Sequence, residues 1–253
     1  MQLIDTHAHI YLPEFDNDRD RVIENAREEG INWILMPAID SKTHESMIEL
    51  EEQYATCKAM IGLHPCSVQD KNEEELNIVK QWLGKRNFIA VGEIGLDFYW
   101  DRSFINEQYN VFHHQIRFAI KHHLPIVIHS RNAIDECIEV VKQYPGLTGV
   151  FHCFSGNIQQ AEQIIQTGFL LGIGGVVTYK NAGLDKVIEQ IGLNSLVLET
   201  DAPYLTPVPF RGKRNECSYL TFIAQKIADV TNKQVEEVAL VTTGNAMKLF
   251  KLP

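Results

Sequence analysis

The sequence has 253 residues, of which 45% are hydrophobic and 22% are charged, and its formal net charge at pH 7 is −10. This balance is typical of a folded globular protein and excludes a disordered or fibrous chain. The negative charge disfavours broad electrostatic capture of long nucleic acid, because such binding depends on many Lys and Arg contacts with phosphates. The length is close to the roughly 250 residues of one closed (β/α)8 barrel, and we expect residues 1–253 to form a single domain.

The sequence also indicates where the protein resides. Its first residues contain no basic segment followed by an apolar stretch, as a signal peptide would. No apolar run approaches the ~20 residues that span a bilayer. The five cysteines are odd in number and form no C-x-x-C pair, so we expect small buried hydrophobic side chains and not a disulfide framework. We therefore predict a cytoplasmic protein without a membrane segment.

Short apolar runs recur about every thirty residues and predict eight β-strands. They lie at residues 3–4, 33–36, 59–61, 89–91, 126–128, 149–151, 169–171 and 196–198. The segments between them have helical periodicity, for example Val22, Ile23 and Ala26 before Gly30. This alternation predicts an α/β fold with a parallel sheet covered by helices, closed into a (β/α)8 TIM barrel, with a doubly wound open sheet as the alternative. Residues 215–250 are predicted to form two helices that meet at Thr231 or Asn232.

Side chains that can bind metal ions follow six of the eight apolar runs. They are His7 and His9 after the first run, and then His64, Glu93, His129, His152 and Asp201. The carboxyl ends of the strands of a parallel barrel meet on one face, where barrel enzymes place their active sites. Histidines that merely filled a core would not lie at the same end of several strands. The pattern therefore predicts a metal site formed by His7, His9, Glu93, His129, His152 and Asp201.

The number of these side chains favours two metal ions. His7 and His9 are two residues apart and project to the same side of an extended strand. A catalytic zinc ion usually takes three protein ligands and keeps one position open, so four imidazoles and two carboxylates exceed what one ion needs. Glu93, after a central strand, is the natural bridge between two ions. Imidazole-rich ligation favours zinc, manganese or iron over magnesium but does not identify the metal.

Seven motifs follow one another along nearly the whole chain. They are D-T-H-A-H at residues 5–9, G-L-H-P at 62–65, G-E-I-G-L-D-F at 92–98, I-H-S-R at 128–131, H-C-F-S-G at 152–156, E-T-D-A-P-Y-L at 199–205 and R-G-K-R-N-E at 211–216. Together they resemble the TatD family of metal-dependent hydrolases and deoxyribonucleases, within the amidohydrolase superfamily. The resemblance implies two divalent ions (Zn, Mn or Mg), one held by His7, His9, Glu93 and Asp201 and the other by Glu93, His129 and His152. Phe210 and Cys217 depart from the family pattern and concern only the substrate loop.

The predicted reaction is hydrolysis of a phosphodiester by a water molecule that two metal ions activate. Asp201 is the predicted proton acceptor, and Glu93 and His64 complete the candidate catalytic set. The candidate substrate-binding residues are His64, Asp97, Arg131, Tyr204, Arg211 and Lys213. The cationic members of this set, together with Arg214, would bind phosphate oxygens, Asp97 would orient a ligand imidazole, and Tyr204, like Phe98, would offer a face for base stacking. With the family resemblance, the expected substrate is DNA or a nucleotide at a strand end, cleaved in the manner of a 3′–5′ exonuclease.

Two other functions fit the same residues. The first is hydrolysis of a small ester, lactone, amide or aminoacyl-tRNA ester at the same site. The second is a non-catalytic metal-binding protein, which would leave no open coordination position. The histidines outside the strand ends are predicted to be surface or capping residues of helices. They are His44, His113, His114, His122 and His123.

Overall fold

The computed structural model describes residues 1–70 and 72–253, which form eight β-strands and nine α-helices. The strands are β1 (Leu3–Asp5), β2 (Ile31–Met36), β3 (Cys57–Ala59), β4 (Val91–Asp97), β5 (Ile126–Arg131), β6 (Gly149–Phe151), β7 (Leu170–Ile173) and β8 (Leu196–Leu198). The helices are α1 (Arg19–Glu28), α2 (His44–Gln53), α3 (Asn72–Lys85), α4 (Ile105–His122), α5 (Ile134–Val141), α6 (Ile158–Gln166), α7 (Leu184–Ile191), α8 (Leu220–Thr231) and α9 (Val235–Phe250). The eight predicted strands are all present, but β3 and β4 share only one residue each with the predicted runs 59–61 and 89–91.

The strands close into a barrel. Continuous hydrogen-bonded ladders join β1, β2 and β3 on one side and β4 through β8 on the other, and every pair is parallel. A parallel bridge between Ile61 and Val91 joins the two groups at one seam. At the other seam, the Thr6 amide donates to the Leu198 carbonyl over 3.0 Å. The fold is therefore the predicted TIM barrel and not the doubly wound alternative.

An apolar layer fills the interior of the barrel, with one side chain from each strand or its immediate neighbour. It consists of Ile4, Leu35, Met60, Ala90, Val127, Val150, Leu170 and Val197. Phe250 of α9 packs against this layer. Asn245, also on α9, donates to the Leu196 carbonyl over 2.8 Å at the first residue of β8. Helix α9 therefore covers the amino-terminal end of the barrel, and the carboxyl-terminal end is left for the site.

Several helix ends follow from the local sequence. Helix α6 begins with a capping box, in which the Asn157 side chain accepts from the Gln160 amide and the Gln160 side chain accepts from the Asn157 amide, both over 3.0 Å. Helix α8 ends at Asn232, whose φ of 52° lies in the left-handed region that Asn tolerates. The predicted junction of the last two helices at this position is confirmed.

Two predictions about burial are corrected. His44, predicted to be a surface or capping residue, follows the N-cap residue Thr43 as the first residue of α2 and is 1% exposed, because Met47 and Ile48 of the same helix are buried and place its amino-terminal turn in the core. Of the five cysteines predicted to be buried, Cys66 is exposed and Cys153 is partly buried, whereas Cys57, Cys137 and Cys217 are buried. Among residues 1–70 and 72–253, no helix has the length and apolar composition that crossing a bilayer requires.

Candidate metal centre

The alternation of side chains in the strands aims several candidate ligands into the barrel. Val127 and Val150 belong to the interior layer, and residues i and i+2 of a strand share a face. His129 and His152 therefore point inward one step closer to the carboxyl-terminal mouth. The same step from Val197 in β8 points Glu199 inward.

Glu93 lies at the centre of the cluster and is 2% exposed. Its Oε2 lies 3.1 Å from His7 Nε2 and 3.6 Å from His9 Nε2. Its Oε1 lies 2.8 Å from His129 Nδ1 and 3.0 Å from His152 Nε2. The two oxygens of one carboxylate thus divide four imidazoles into two pairs.

Asp201 joins the pair formed by His7 and His9. Its Oδ1 lies 3.7 Å from the Nε2 atom of each of them. The ligand atoms that these three residues offer all lie within 4.8 Å of one another. The six side chains selected from the strand ends therefore meet in one buried cluster at the carboxyl-terminal end of the barrel.

His64 lies beside His129, and a hydrogen bond from the backbone decides which of its ring nitrogens carries the proton. Its Nε2 is 3.2 Å from His129 Nδ1 and 3.4 Å from Glu93 Oε1. Its Nδ1 accepts a hydrogen bond from the Cys66 amide over 3.0 Å. A neutral imidazole that accepts at one nitrogen carries its proton on the other. His64 therefore presents an N–H donor to the cluster and not a lone pair.

Asp97 fixes the orientation of His129. Its Oδ2 lies 2.8 Å from His129 Nε2, which leaves His129 Nδ1 directed at Glu93. Its Oδ1 accepts from the amides of Tyr99 and Trp100, each over 2.9 Å. Burial opposes ionisation of Asp97, but these hydrogen bonds hold its pKa well below the usual range.

Two orienting residues were not selected from the sequence. Glu199 accepts a hydrogen bond from the Cys153 amide, and its Oε1 lies 3.3 Å from His152 Nδ1. The Tyr11 hydroxyl donates to the Pro37 carbonyl over 2.6 Å and lies 2.9 Å from His9 Nδ1. The sequence signal for Glu199 was its position two residues after an inward-facing valine.

Burial and neighbouring charges shift the pKa values of the clustered side chains in both directions. Burial and the neighbouring His152 lower the pKa of His7 to about 4, and burial likewise lowers the pKa of His9. Burial also raises the pKa of Asp201 to about 8. Burial opposes protonation of His152, but Glu93 and Glu199 raise its pKa well above the usual value. The neutral imidazoles of His7 and His9 beside buried carboxylates fit a divalent cation with nitrogen and oxygen ligands, and a cation at His152 would displace the proton on its Nε2 atom, which faces Glu93.

The predicted phosphate-binding cations lie around the carboxyl-terminal mouth of the barrel, and they differ in whether another residue already pairs with them. Arg131 is exposed at the end of β5, with its guanidinium carbon 3.9 Å from the centre of the Tyr99 ring. Arg211 and Lys213 are exposed on the loop after β8. Arg214 pairs with Asp18 through two contacts of 2.7 Å, so this guanidinium is already engaged.

The two aromatic residues predicted to stack on bases differ in how exposed they are. Tyr204 is 47% exposed, and its ring centre lies 6.1 Å from that of His9. Phe98 packs against the core beside Tyr109, with 6.2 Å between ring centres. Of the two, Tyr204 is the one that offers a free face at the mouth.

Comparisons with known proteins agree with the motifs. The family model described as TatD related DNase matches residues 4–251. A Bacillus subtilis (strain 168) protein named uncharacterized metal-dependent hydrolase YabD is 40% identical over 253 residues, 99% of each chain. A protein of Erwinia amylovora named 3′-5′ ssDNA/RNA exonuclease TatD is 31% identical over 259 residues, 99% of this chain and 100% of that one. The crystal structure of the TatD homolog YjjV from Escherichia coli K12 has a TM-score of 0.94 and 32% identity, and covers 99% of this chain and 98% of that one. The chain therefore belongs to the TatD family of metal-dependent hydrolases.

Proposed function

We propose that this protein is a deoxyribonuclease that hydrolyses phosphodiester bonds at a strand end with 3′–5′ polarity. The observation that carries the proposal is the division of four imidazoles between the two oxygens of Glu93. Such a set of donors would suit two divalent ions, as in many nucleases and phosphatases. The Erwinia relative, named as an exonuclease on single-stranded DNA and RNA, supports the choice of substrate.

In this proposal, His7, His9, Glu93 and Asp201 would hold one divalent cation. Glu93, His129 and His152 would hold a second one. The imidazole-rich donor set favours zinc or manganese, with magnesium as the third candidate. When bound, the cations polarise a phosphoryl oxygen and lower the pKa of a water molecule towards neutrality.

The residues of the chain supply the remaining chemistry. Asp201 Oδ1 faces the imidazoles of His7 and His9. The other oxygen, Oδ2, is therefore the atom that accepts a proton from the attacking water in this proposal. The N–H that His64 presents to the cluster donates to a substrate oxygen. Arg131, and Arg211 and Lys213 on the opposite loop, bind phosphate oxygens.

The character of the rim favours a nucleotide strand over a small neutral ester. Exposed cationic and aromatic side chains suit phosphates and bases, and a neutral ester would use neither. The cytoplasmic location and the single-domain organisation stay predictions.

The test combines metal analysis with hydrolysis assays. We expect the purified protein to bind about two divalent ions and to shorten a 5′-labelled single strand from its 3′ end. Replacing Glu93 with Gln removes the bridging charge, so both metal content and turnover should fall, turnover by at least ~100-fold. Glu189→Gln, at an exposed position of α7, is the matched control and should behave as wild type.

The same assays include Mg²⁺, Mn²⁺ and Zn²⁺ and a panel of carboxylic esters and lactones. Undiminished strand cleavage by Glu93→Gln would contradict the bridging role. Turnover of esters without any cleavage of the strand would replace the nuclease assignment with the ester-hydrolase alternative.

A further inference from the structure

Two adjacent aromatic side chains are exposed at the mouth of the barrel. Tyr99 and Trp100 lie just after β4, separated from it by Phe98, and are 51% and 68% exposed. Their ring centres are 5.0 Å apart, and the planes meet at 86°. Large aromatic residues gain most by burial, so an exposed pair beside a catalytic site marks a surface that has a binding function.

Arg131 completes this surface. Its guanidinium carbon lies 3.9 Å from the Tyr99 ring centre and 5.3 Å from that of Trp100. We call Tyr99, Trp100 and Arg131 the aromatic platform. Unlike Arg214, which pairs with Asp18, Arg131 forms no ion pair within residues 1–70 and 72–253. A guanidinium stacked on a ring keeps the N–H donors of its edges free for a phosphate.

The platform is attached to the metal centre through one carboxylate. Asp97 Oδ1 holds the amides of Tyr99 and Trp100, each over 2.9 Å, while Oδ2 lies 2.8 Å from the His129 ring. The Phe98 amide donates to the Arg131 carbonyl over 3.0 Å and ties the two strand ends together. The backbone that carries the platform is therefore positioned relative to the metal centre before any substrate arrives, which lowers the entropy that binding must remove.

We propose that the aromatic platform binds the nucleotide next to the scissile phosphate, with its base stacked on the indole of Trp100 and its phosphate bound by Arg131. This inference rests on the proposed function, because it takes a nucleic-acid strand as the substrate. Stacking of one base on an aromatic side chain changes binding by roughly 10- to 100-fold. The platform thus selects a strand that carries a base at this position.

The first test compares two single-stranded oligonucleotides, one complete and one abasic at the nucleotide next to the cleaved bond. We expect the wild type to prefer the complete strand by roughly 10-fold or more in kcat/KM, mainly through KM. Trp100→Ala should lose this preference, and Trp100→Phe should recover most of it. Phe222→Ala, which removes an aromatic side chain 40% exposed on α8, is the control and should keep the wild-type preference.

The second test measures binding without turnover. The remaining tryptophans, Trp33 and Trp82, lie under Lys58 and Lys85, away from the platform. In a Trp33→Phe, Trp82→Phe protein, Trp100 is the sole reporter, and a phosphorothioate-linked single strand should quench its fluorescence to saturation. Arg131→Gln should weaken the binding by roughly 10-fold, whereas Arg131→Lys keeps the charge and should weaken it less.

The two tests separate the platform from the proposed function. Equal KM values of the wild type for the complete and abasic strands, or fluorescence that stays constant as the strand is added, would overturn the platform. Saturable quenching by a protein that cleaves no phosphodiester would overturn only the nuclease assignment.

Discussion

The imidazoles of the cluster are oriented by partners outside it. Asp97 occupies the outer nitrogen of His129, Glu199 approaches that of His152, and Tyr11 lies beside that of His9. In each ring the other nitrogen is directed at Glu93. Imidazoles fixed in this way would need little reorganisation to bind a cation, which would raise its affinity.

Glu199→Gln tests the orientation of His152. Gln keeps the size of the side chain but removes the negative charge that attracts the imidazole. We expect the affinity for the divalent ion to fall by about 10- to 100-fold, as is typical for loss of an orienting carboxylate. Competition with a chelator measures this change. Glu139→Gln, at an exposed carboxylate of α5, is the control, and equal affinities of Glu199→Gln and wild type would contradict the orienting role.

Asp201→Asn tests the assignment of the proton acceptor. Asn retains an oxygen near His7 and His9 but cannot take a proton from water. Turnover should fall by roughly 10²–10⁴-fold, while the circular dichroism spectrum stays native. Asp185→Asn, on the exposed face of α7, should leave turnover unchanged. A rate near that of the wild type would remove Asp201 from the mechanism.

At the scale of the elements, the strand ends were the most predictable feature. The apolar runs predicted eight strands, and a parallel barrel gathers their carboxyl ends on one face, so residues as distant as His7 and Asp201 could be placed together. The loops were less predictable, because their conformation depends on contacts between distant segments. The sequence predicted that Arg214 would be available to bind phosphate oxygens, yet its guanidinium pairs with Asp18. The exposure of Trp100 similarly depends on the turn that Asp97 organises.

His44, at the start of α2, supports a prediction about pH. Burial lowers its pKa, whereas the Gly62 carbonyl, Glu75 and Asp40 act in the opposite direction. The unfolded chain therefore binds this proton more tightly than the folded protein does. Stability that is present above the unfolded pKa of ~6.5 is lost as the pH falls towards the folded pKa.

His44→Leu should remove this loss, since the substitution replaces a buried ring with an apolar side chain. The stability of the wild type relative to the variant should decline below pH 6.5 by up to ~1.4 kcal/mol per pH unit. Urea unfolding at pH 7.5 and pH 5.5 measures the difference. A difference that is the same at both pH values would show that His44 does not titrate on unfolding.

For the molecule as a whole, the cluster concentrates negative charge in an already acidic protein. The net charge is −10, and Glu93, Glu199 and Asp201 are buried at the mouth of the barrel. Repulsion from Glu93 and Glu199 adds to burial in raising the pKa of Asp201, so the folded protein without cations keeps protons on Asp201 and on His152 at neutral pH. Binding of divalent ions would displace these protons and stabilise the fold.

Removal of metal ions should therefore lower the melting temperature. At a free ion concentration of 100 times Kd, binding stabilises the folded state by ~2.7 kcal/mol. For a chain of this length that corresponds to roughly 5–10 °C. Thermal unfolding in EDTA and in excess Mn²⁺ or Zn²⁺ checks this. Glu93→Gln should show a much smaller shift, and an identical melting temperature in both conditions would contradict cation binding by the native cluster.

The packing of Phe250 and Asn245 beneath the strands determines how substrate can enter and product can leave. Because α9 closes the amino-terminal end of the barrel, a polymer cannot pass through the barrel along its axis. Substrate must enter and product must leave through the same carboxyl-terminal opening, so bound product excludes the next substrate molecule.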